Sequence, residues 1–270
     1  MVRVAYYGDV GSYSEEASLK FFKHAELRPC RRFKDVFDYV VSKEVDFGVV
    51  PIENSLEGSV GEVYDLLKDF NVMIYGEVQL RISHCLIALP GVELGSIKYV
   101  YSHPQALAQC SKFLDRLGVD VVPYHSTSSA VRMIRERGLK DSAAVGSLRA
   151  AELYGMKVLA RDIQDNPNNY TRFLVIALHD HEPTGNDKTS VIIGLPHIPG
   201  SLYRALHEFA IRGINLTKIE SRPKKEVVWE YIFFIDFEGH RLDSKCLEAL
   251  NALRNSVPFM KVLGSYPKAT

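Results

Sequence analysis

The chain has 270 residues, 46% of them hydrophobic and 24% charged, a make-up that supports a large core and more than one domain. Lysine plus arginine and aspartate plus glutamate both number 33, so the formal charge is zero and nothing favours nucleic acid, a membrane surface or a polyanion. No apolar run approaches the ~20 residues of a membrane span. The first residues read as a strand rather than a signal peptide, so a cytosolic protein is expected. Cys30, Cys85, Cys110 and Cys246 lack C-x-x-C spacing and read as reduced core thiols, Cys110 being the one whose segment leaves room for reactivity.

In chain order, VRVAYY is a buried strand, and Ser12 with Glu15 forms an S-x-x-E capping box that opens a helix to about Lys23. The junction between them carries Gly8, Gly11 and the hydroxyls of Ser12, Tyr13 and Ser14. It reads equally as an anion cradle at a helix N-terminus and as a tight, well-capped turn. It lacks G-x-G-x-x-G and Gly-Lys-Ser/Thr, so a carboxylate fits it better than a nucleotide. FKDVFDYVVSK has helical spacing, and VDFGVVPI is a buried strand ending near Pro51. The loop after it holds Glu53, Asn54, Ser55, Glu57 and Ser59 at a strand's carboxyl end, where α/β folds bind ligands, although a solvated loop has the same composition. GEVYDLLKDF is a helix. VMIYGEVQLRISHCLIAL is too long and too β-rich for one half-buried strand and is predicted to cross between two lobes, with His84 a satisfied core histidine.

IKYVYSH is a strand, and Pro104 opens a single predicted helix, PQALAQCSKFLDRLG. Ser102, His103 and Gln105 stand at that junction, His103 fitting either an acid or base or a plain helix cap. VDVVPY is a strand, and Ser126, Thr127 and Ser128 begin the helix STSSAVRMIRERG. SAAVGS, LRAAELYG and MKVLA add strand, helix and strand. NPNNYTRFLVIAL crowds Asn166, Asn168, Asn169, Thr171 and Arg172 at the entrance of an apolar strand; Arg172 there needs an anionic partner, either a ligand or a structural carboxylate.

Alternating strands and helices predict an α/β sheet of parallel strands, and the two crossings predict two lobes with a ligand cleft between them. Lobe 1 is expected over 1–78 and 160–180, lobe 2 over 79–159. HDHEPTGNDKTS, 179–190, reads as a linker, its HDH being solvated rather than metal-binding. From 188 to 267 the order becomes β-α-β-β-α-β, the ferredoxin-like arrangement of a separate domain. No metal set, cofactor fingerprint or Ser/His/Asp signature appears. The residues by themselves leave the choice open between a sensory binding module and a cofactor-free enzyme.

Taken together, GSYSEEA, VPIENSLEGSV, SHPQALAQC, STSSAV, NNYTRF and IESRP resemble, in order and nearly end to end, the prephenate dehydratase family with its regulatory ACT domain. The resemblance implies a two-lobed catalytic domain like the periplasmic binding proteins, followed by an ACT domain. It implies cofactor-free and metal-free conversion of prephenate to phenylpyruvate, CO2 and water in phenylalanine biosynthesis, with arogenate dehydratase as the alternative. Thr171 of the family's threonine–arginine–phenylalanine motif falls to the essential role, here as a donor to the leaving oxygen. Arg172 is assigned to a substrate carboxylate, and Phe173, Asn54, Ser55, Ser12, Tyr13, Gln105, Thr127 and Ser128 to the remaining substrate contacts. L-Phenylalanine is expected as effector between paired ACT domains, at Gly200, Ser201, Leu202, Asn215, Glu220, Ser221 and Arg222. Ser201 and Tyr203 depart from the family's glycine-alanine-leucine-valine segment. A dimer or tetramer is expected. With the first strand at Val2, the single-function form without a chorismate mutase segment is expected. The non-catalytic competitors are an amino-acid sensor and an ACT-assembled structural protein.

Overall fold

The computed structural model describes residues 1–224 and 231–269. Strand β1 (Val2–Tyr7), helix α1 (Tyr13–Phe21), β2 (Ala25–Cys30), α2 (Phe33–Val41), β3 (Phe47–Asn54), β4 (Gly58–Ser59), α3 (Gly61–Asp69) and β5 (Met73–Arg81) build the first lobe. The second contains β6 (Cys85–Ala88), β7 (Tyr99–Ser102), α4 (Pro104–Ala108), α5 (Ser111–Leu117), β8 (Asp120–Pro123), α6 (Thr127–Arg137), β9 (Ser142–Gly146), α7 (Leu148–Leu153) and β10 (Lys157–Ala160). The chain then returns through β11 (Tyr170–Ala177), which inserts between β3 and β5 to give the order β2-β1-β3-β11-β5. The second sheet runs β10-β6-β9-β7-β8. The two crossings pair with each other: Ile82 N donates to Asn169 O at 2.8 Å and Ile163 N to His84 O at 3.0 Å.

Neither sheet is purely parallel. The returning β11 runs antiparallel to both of its neighbours, and β6 is antiparallel to β9 and β10, because a chain that crosses between lobes must re-enter each sheet reversed. Strand β2 is absent from the sequence expectation; Glu26, Arg28 and Pro29 suit an edge strand, not the apolar run of a central one. The helix predicted from Pro104 breaks in two at Gln109–Cys110. Asp165, from the returning crossing, donates its N–H to the Gln109 carbonyl at 2.7 Å, while its carboxylate accepts from Ser111 Oγ at 3.0 Å and Lys112 N at 3.2 Å.

The third sheet, β13-β14-β12-β15, is antiparallel throughout and follows the expected order β12 (Asp187–Gly194), α8 (Ser201–Ala210), β13 (Leu216–Pro223), β14 (Tyr231–Glu238), α9 (Ser244–Ser256), β15 (Phe259–Pro267). The first residues of the strand predicted over 226–238 lie outside the described residues. Both faces of this sheet are covered, which explains why β12 is buried at every position. Val191, Ile193, Ile235 and Phe237 meet Ala205, Phe209 and Leu250 of the two helices. Ile192, Phe234, Leu263 and Tyr266 pack into the first lobe beside Val50, Ile52 and Leu174. Contact is closest at Gly264, where a Cβ atom would lie 2.4 Å from the Ile74 carbonyl oxygen, so no side chain fits. The linker is exposed over 182–186, as expected, and touches the fold at its first residues. His179 and His181 pack on Tyr75 with ring centroids 5.4 and 4.9 Å away, and Asp180 pairs with Arg241 at 2.9 Å.

Candidate active site

A cavity of about 800 Å³ opens between the first two sheets. Strand periodicity decides which residues of β11 reach it. Thr171 and Phe173 line it, and Phe173 and Val175 belong to the core on the α1 side of the sheet. Leu174 and Ile176 belong to the opposite core, toward the third sheet. Arg172 shares that opposite face and does not line the cavity. Only 8% exposed, it lies 2.7 Å from Asp236, 3.2 Å from Glu53 and 3.7 Å from Glu77. Burial opposes its charge, but the carboxylates of Asp236, Glu77 and Glu53 outweigh that and raise its pKa. The assignment of Arg172 to a substrate carboxylate is therefore corrected: its planar fork is already engaged by three protein carboxylates.

Of the other expected contacts, Ser12, Tyr13, Asn54, Gln105 and Thr127 line the cavity. Ser55 does not. Its hydroxyl donates to Asn168 O at 3.0 Å and accepts from Tyr170 N at 2.9 Å, tying the loop after β3 to the returning crossing. Ser128 is fully buried and donates to the Val10 carbonyl, joining the lobes instead of facing a ligand. His103 combines its two readings: Nδ1 caps α4 by accepting from Gln105 N at 3.3 Å, and the residue lines the cavity.

The glycine turn after β1 is a clasp more than a cradle. Gly8 N donates to Cys30 O at 2.8 Å, Ser12 N to Asp9 O at 3.1 Å, and Gly11 N to the Glu15 carboxylate. The turn's acceptors reach the second lobe. Asp9 accepts from Ser126 Oγ at 2.6 Å, Gly11 O from Ser147 Oγ at 2.8 Å, and Val10 O from Ser128. Gly11 has φ +83, and a Cβ there would lie 2.8 Å from Ser128 Oγ and 3.1 Å from Ala150 Cα.

A chain of oriented amides runs behind Thr171. Asn54 Oδ1 accepts from Leu56 N at 3.0 Å and Glu57 N at 3.1 Å, which turns its amide nitrogen toward Thr171 Oγ1 at 3.0 Å and Asn169 Oδ1 at 2.7 Å. Asn169 in turn donates to Gln109 Oε1 at 2.9 Å, and the Gln109 nitrogen donates to the Glu57 carboxylate at 3.2 Å. That carboxylate fixes which way the Gln109 amide faces. Its oxygen must then accept from His84 Nε2 at 3.1 Å, leaving His84 Nδ1 as an acceptor 2.9 Å from the Tyr13 hydroxyl. Burial lowers the His84 pKa, only partly opposed by the bond to Gln109, and raises that of Tyr13; both favour the neutral forms this pattern needs.

Gln109, Arg31 and Arg132 have no place in the sequence expectation, and Asn169 stands there only among the polar residues crowding the entrance of β11. Gln109 reaches the cavity because the helix breaks beside it, a tertiary effect without a glycine or proline to announce it. Arg31 follows β2, the strand that reasoning also missed. Arg31 and Arg132 are the arginines lining the cavity, and both are solvent-exposed. Cys110 is fully buried, with burial pushing its thiol up to about 12, so it is a core thiol and not a nucleophile.

The expected effector residues are split. Along β13, Lys218, Glu220 and Arg222 alternate with the exposed Thr217, Ile219 and Ser221. Lys218 pairs with Glu53 and Arg222 with Asp65 at 3.5 Å, so that row faces the first lobe. Gly200, with φ +80, precedes α8; the Ser201 hydroxyl is turned back to Ile198 O at 2.9 Å; Leu202 is half-buried; and the Asn215 carbonyl accepts from Glu238 N at 2.9 Å.

Two α/β lobes around a small-molecule cleft, backed by a docked βαββαβ sheet, are the architecture of a ligand-binding protein with a separate domain behind its cleft. The family model described as prephenate dehydratase matches residues 4–181, and the one described as ACT domain matches 189–255. The chain belongs to the prephenate dehydratase family and is a lyase by class. A bifunctional chorismate mutase/prephenate dehydratase from Aquifex aeolicus is 44% identical over 99% of this chain and 74% of that protein. Arogenate dehydratase 2 of Petunia hybrida is 45% identical over 98% and 72%. The crystal structure of prephenate dehydratase from Arthrobacter aurescens in complex with L-Phe superposes with a TM-score of 0.91, at 38% identity over 99% of this chain and 90% of that one. Among the described residues, no helix is long and apolar enough to cross a membrane.

Proposed function

We propose that the cleft binds prephenate and drives its decarboxylating dehydration to phenylpyruvate, CO2 and water, with Thr171 as the hydrogen-bond donor to the departing hydroxyl. The observation that carries this reading is the orientation of the Thr171 side chain. Asn54 donates into Thr171 Oγ1, so one lone pair is occupied and the proton is left to point at the cavity. In the reaction the bond from ring carbon to carboxylate breaks, its electron pair enters the ring, and the carbon–oxygen bond opposite breaks as the ring becomes aromatic; the hydroxide that leaves, hydrogen-bonded by Thr171, takes a proton from solvent to become water. The driving force lies in the substrate. The protein has to hold the molecule, exclude water and stabilise negative charge growing on the leaving oxygen, an interaction stronger in the transition state than in the ground state.

The absence of Arg172 from the cleft is consistent with that chemistry. A guanidinium on the ring carboxylate would stabilise the charge that must be lost, whereas neutral surroundings favour its departure as CO2. Arg31 and Arg132, both exposed, suit the carboxylate of the pyruvyl side chain, which survives the reaction. Incubation of the purified protein with prephenate tests the proposal: phenylpyruvate absorbance is expected to rise, and its failure to rise overturns it. Arogenate is the second reading, favoured by the Petunia relative and by Asp9, whose carboxylate lines the cavity and accepts from Ser126, so that it offers an acceptor for an ammonium group. Phenylalanine formed from arogenate, in place of phenylpyruvate from prephenate, would establish that reading.

L-Phenylalanine is proposed as an inhibitor bound at the ACT domain, supported by the ligand of the Arthrobacter structure. The apolar groups exposed around α8, including Ile198, Tyr203 and Ile211, suit pairing with a second copy in a cytoplasmic oligomer.

A further inference from the structure

Directly behind Thr171 lies a buried ion cluster that the two catalytic lobes do not complete by themselves. Glu53 and Glu77 of the first sheet and Arg172 of β11 meet Asp236 of β14, Lys188 of β12 and Lys218 of β13, all three from the ACT sheet. Arg172 Nη2 lies 2.7 Å from Asp236, Lys188 Nζ lies 2.9 Å from Glu77, and Lys218 pairs with Glu53. Glu220 adds a fourth carboxylate 3.8 Å from Lys218, so three cations serve four carboxylates and withdrawing a cation leaves unmatched negative charge in a largely buried place.

Glu53 stands apart within this set because it also lines the cavity and immediately precedes Asn54, which orients Thr171. Glu53 and Arg172 are cross-strand partners on the rung beside the Asn54 and Thr171 pair. The ladder is irregular here. Arg172 pairs with Glu53 but Phe173 with Pro51, so Ile52 is an extra residue and the register shifts right below the catalytic rung. Backbone pairing therefore fixes the Asn54–Thr171 relation less firmly than it would in a regular ladder. Side chains on the next rung add to the hold that Leu56 N, Glu57 N and the pairing with β4 already have on Asn54. Arg172 Nε comes within 3.2 Å of Glu53 but makes no aligned hydrogen bond, whereas Lys218 does bond the Glu53 carboxylate.

We propose that Lys218 of the ACT sheet is a positioning residue for the dehydration: by holding Glu53 it fixes Asn54, and through Asn54 the direction of the Thr171 hydroxyl. The inference rests on the reading of Thr171 as the donor. It gives the ACT domain a part in the resting reaction, without any effector bound.

The test compares full-length wild type, K218M and K218R by steady-state turnover of prephenate and by thermal melting. In K218M, kcat is expected to fall about tenfold or more with KM within about twofold, since a displacement of about 1 Å in a reacting group costs up to about 10²-fold. K218R restores a cation within reach of Glu53 and is expected to recover most of the rate. Wild-type kcat in K218M overturns the proposal. So does an equal loss in K218M and K218R that tracks a lower melting temperature, because that is the mark of a purely structural role. Wild-type turnover separates the two readings: a wild type that converts neither prephenate nor arogenate brings down the assignment of Thr171 and this inference with it. An active wild type with an unaffected K218M brings down this inference alone.

Discussion

The two faces of β11 solve opposite problems with adjacent residues. On the front, Thr171 and Phe173 meet a cavity in which a hydroxyl is aimed by neutral amides from Asn54, Asn169 and Gln109. On the back, Arg172 is fixed among carboxylates and anchors a second domain. A neutral donor can be turned toward a developing charge without first stabilising the charge that must leave. A buried cation, by contrast, is rigid only where its counter-charges are built in. Splitting the tasks across one strand keeps the Arg172 guanidinium out of the cleft while placing its anchor one residue from Thr171.

Breaking the back face should have the largest effect, and it should be on stability. Arg172→Met leaves Asp236, Glu53 and Glu77 without their shared cation, and removing one partner of a buried pair costs about 3–5 kcal/mol. Denaturant titration of the variant is expected to show a lower midpoint; an unchanged midpoint would mean that the cluster is already neutralised by its lysines. On the front face the loss should be in rate instead. Thr171→Val keeps the shape and removes the donor, and kcat is expected to drop about 10²–10³-fold, equivalent to ~3–4 kcal/mol in the barrier. The unfolding midpoint should barely move. Near-normal turnover in that variant would remove the distinction between the faces.

A smaller effect comes from the clasp that holds the second lobe over the front face. Gly11→Ala meets both a left-handed backbone and the Ser128 and Ala150 atoms, and is expected to cost about 1–3 kcal/mol and to raise KM. Gly138→Ala is the control: its φ is +64 but its Cβ would meet nothing within 4 Å, so it carries the backbone strain alone. Equal melting temperatures for the two variants would show that the clasp adds nothing.

Much of this arrangement is legible in the chain, and the exceptions have three separate causes. Turns announced by glycine, proline or serine mark the strand-to-helix junctions around the cleft, and the change to β-α-β-β-α-β marks the ACT domain. The Arg172 misassignment came from treating Thr171, Arg172 and Phe173 as one unit. Period-two alternation already forbids neighbours in a strand from sharing a face, so a cleft-facing Thr171 implies an Arg172 that faces away. Ser55 and Ser128 are polar in the way expected of ligand donors, yet they satisfy backbone carbonyls, and composition does not distinguish the two uses. Gln109 was hidden more deeply, because the break that presents it is made by Asp165, more than fifty residues on.

The least effect, and the most specific, is on pH. The back face is built from ions and the front face needs a neutral His84, so mild acid should disturb the front first. His84 is buried and its pKa is lowered below the ordinary 6.5, so the unfolded chain takes up a proton that the folded chain resists. The associated stability is complete above about pH 6.5 and is lost as pH falls from there toward the folded value. Protonation also converts Nδ1 from acceptor to donor, and the Tyr13 hydroxyl must then turn its proton to the Ser83 carbonyl, 2.8 Å away, to accept from it. His84→Gln cannot titrate. Melting wild type and variant at about pH 7.5 and about pH 5.5 should therefore show the wild-type advantage shrinking at the lower pH. A constant gap would mean that the folded chain protonates His84 as readily as the unfolded one, which removes the neutral His84 from the account of the front face.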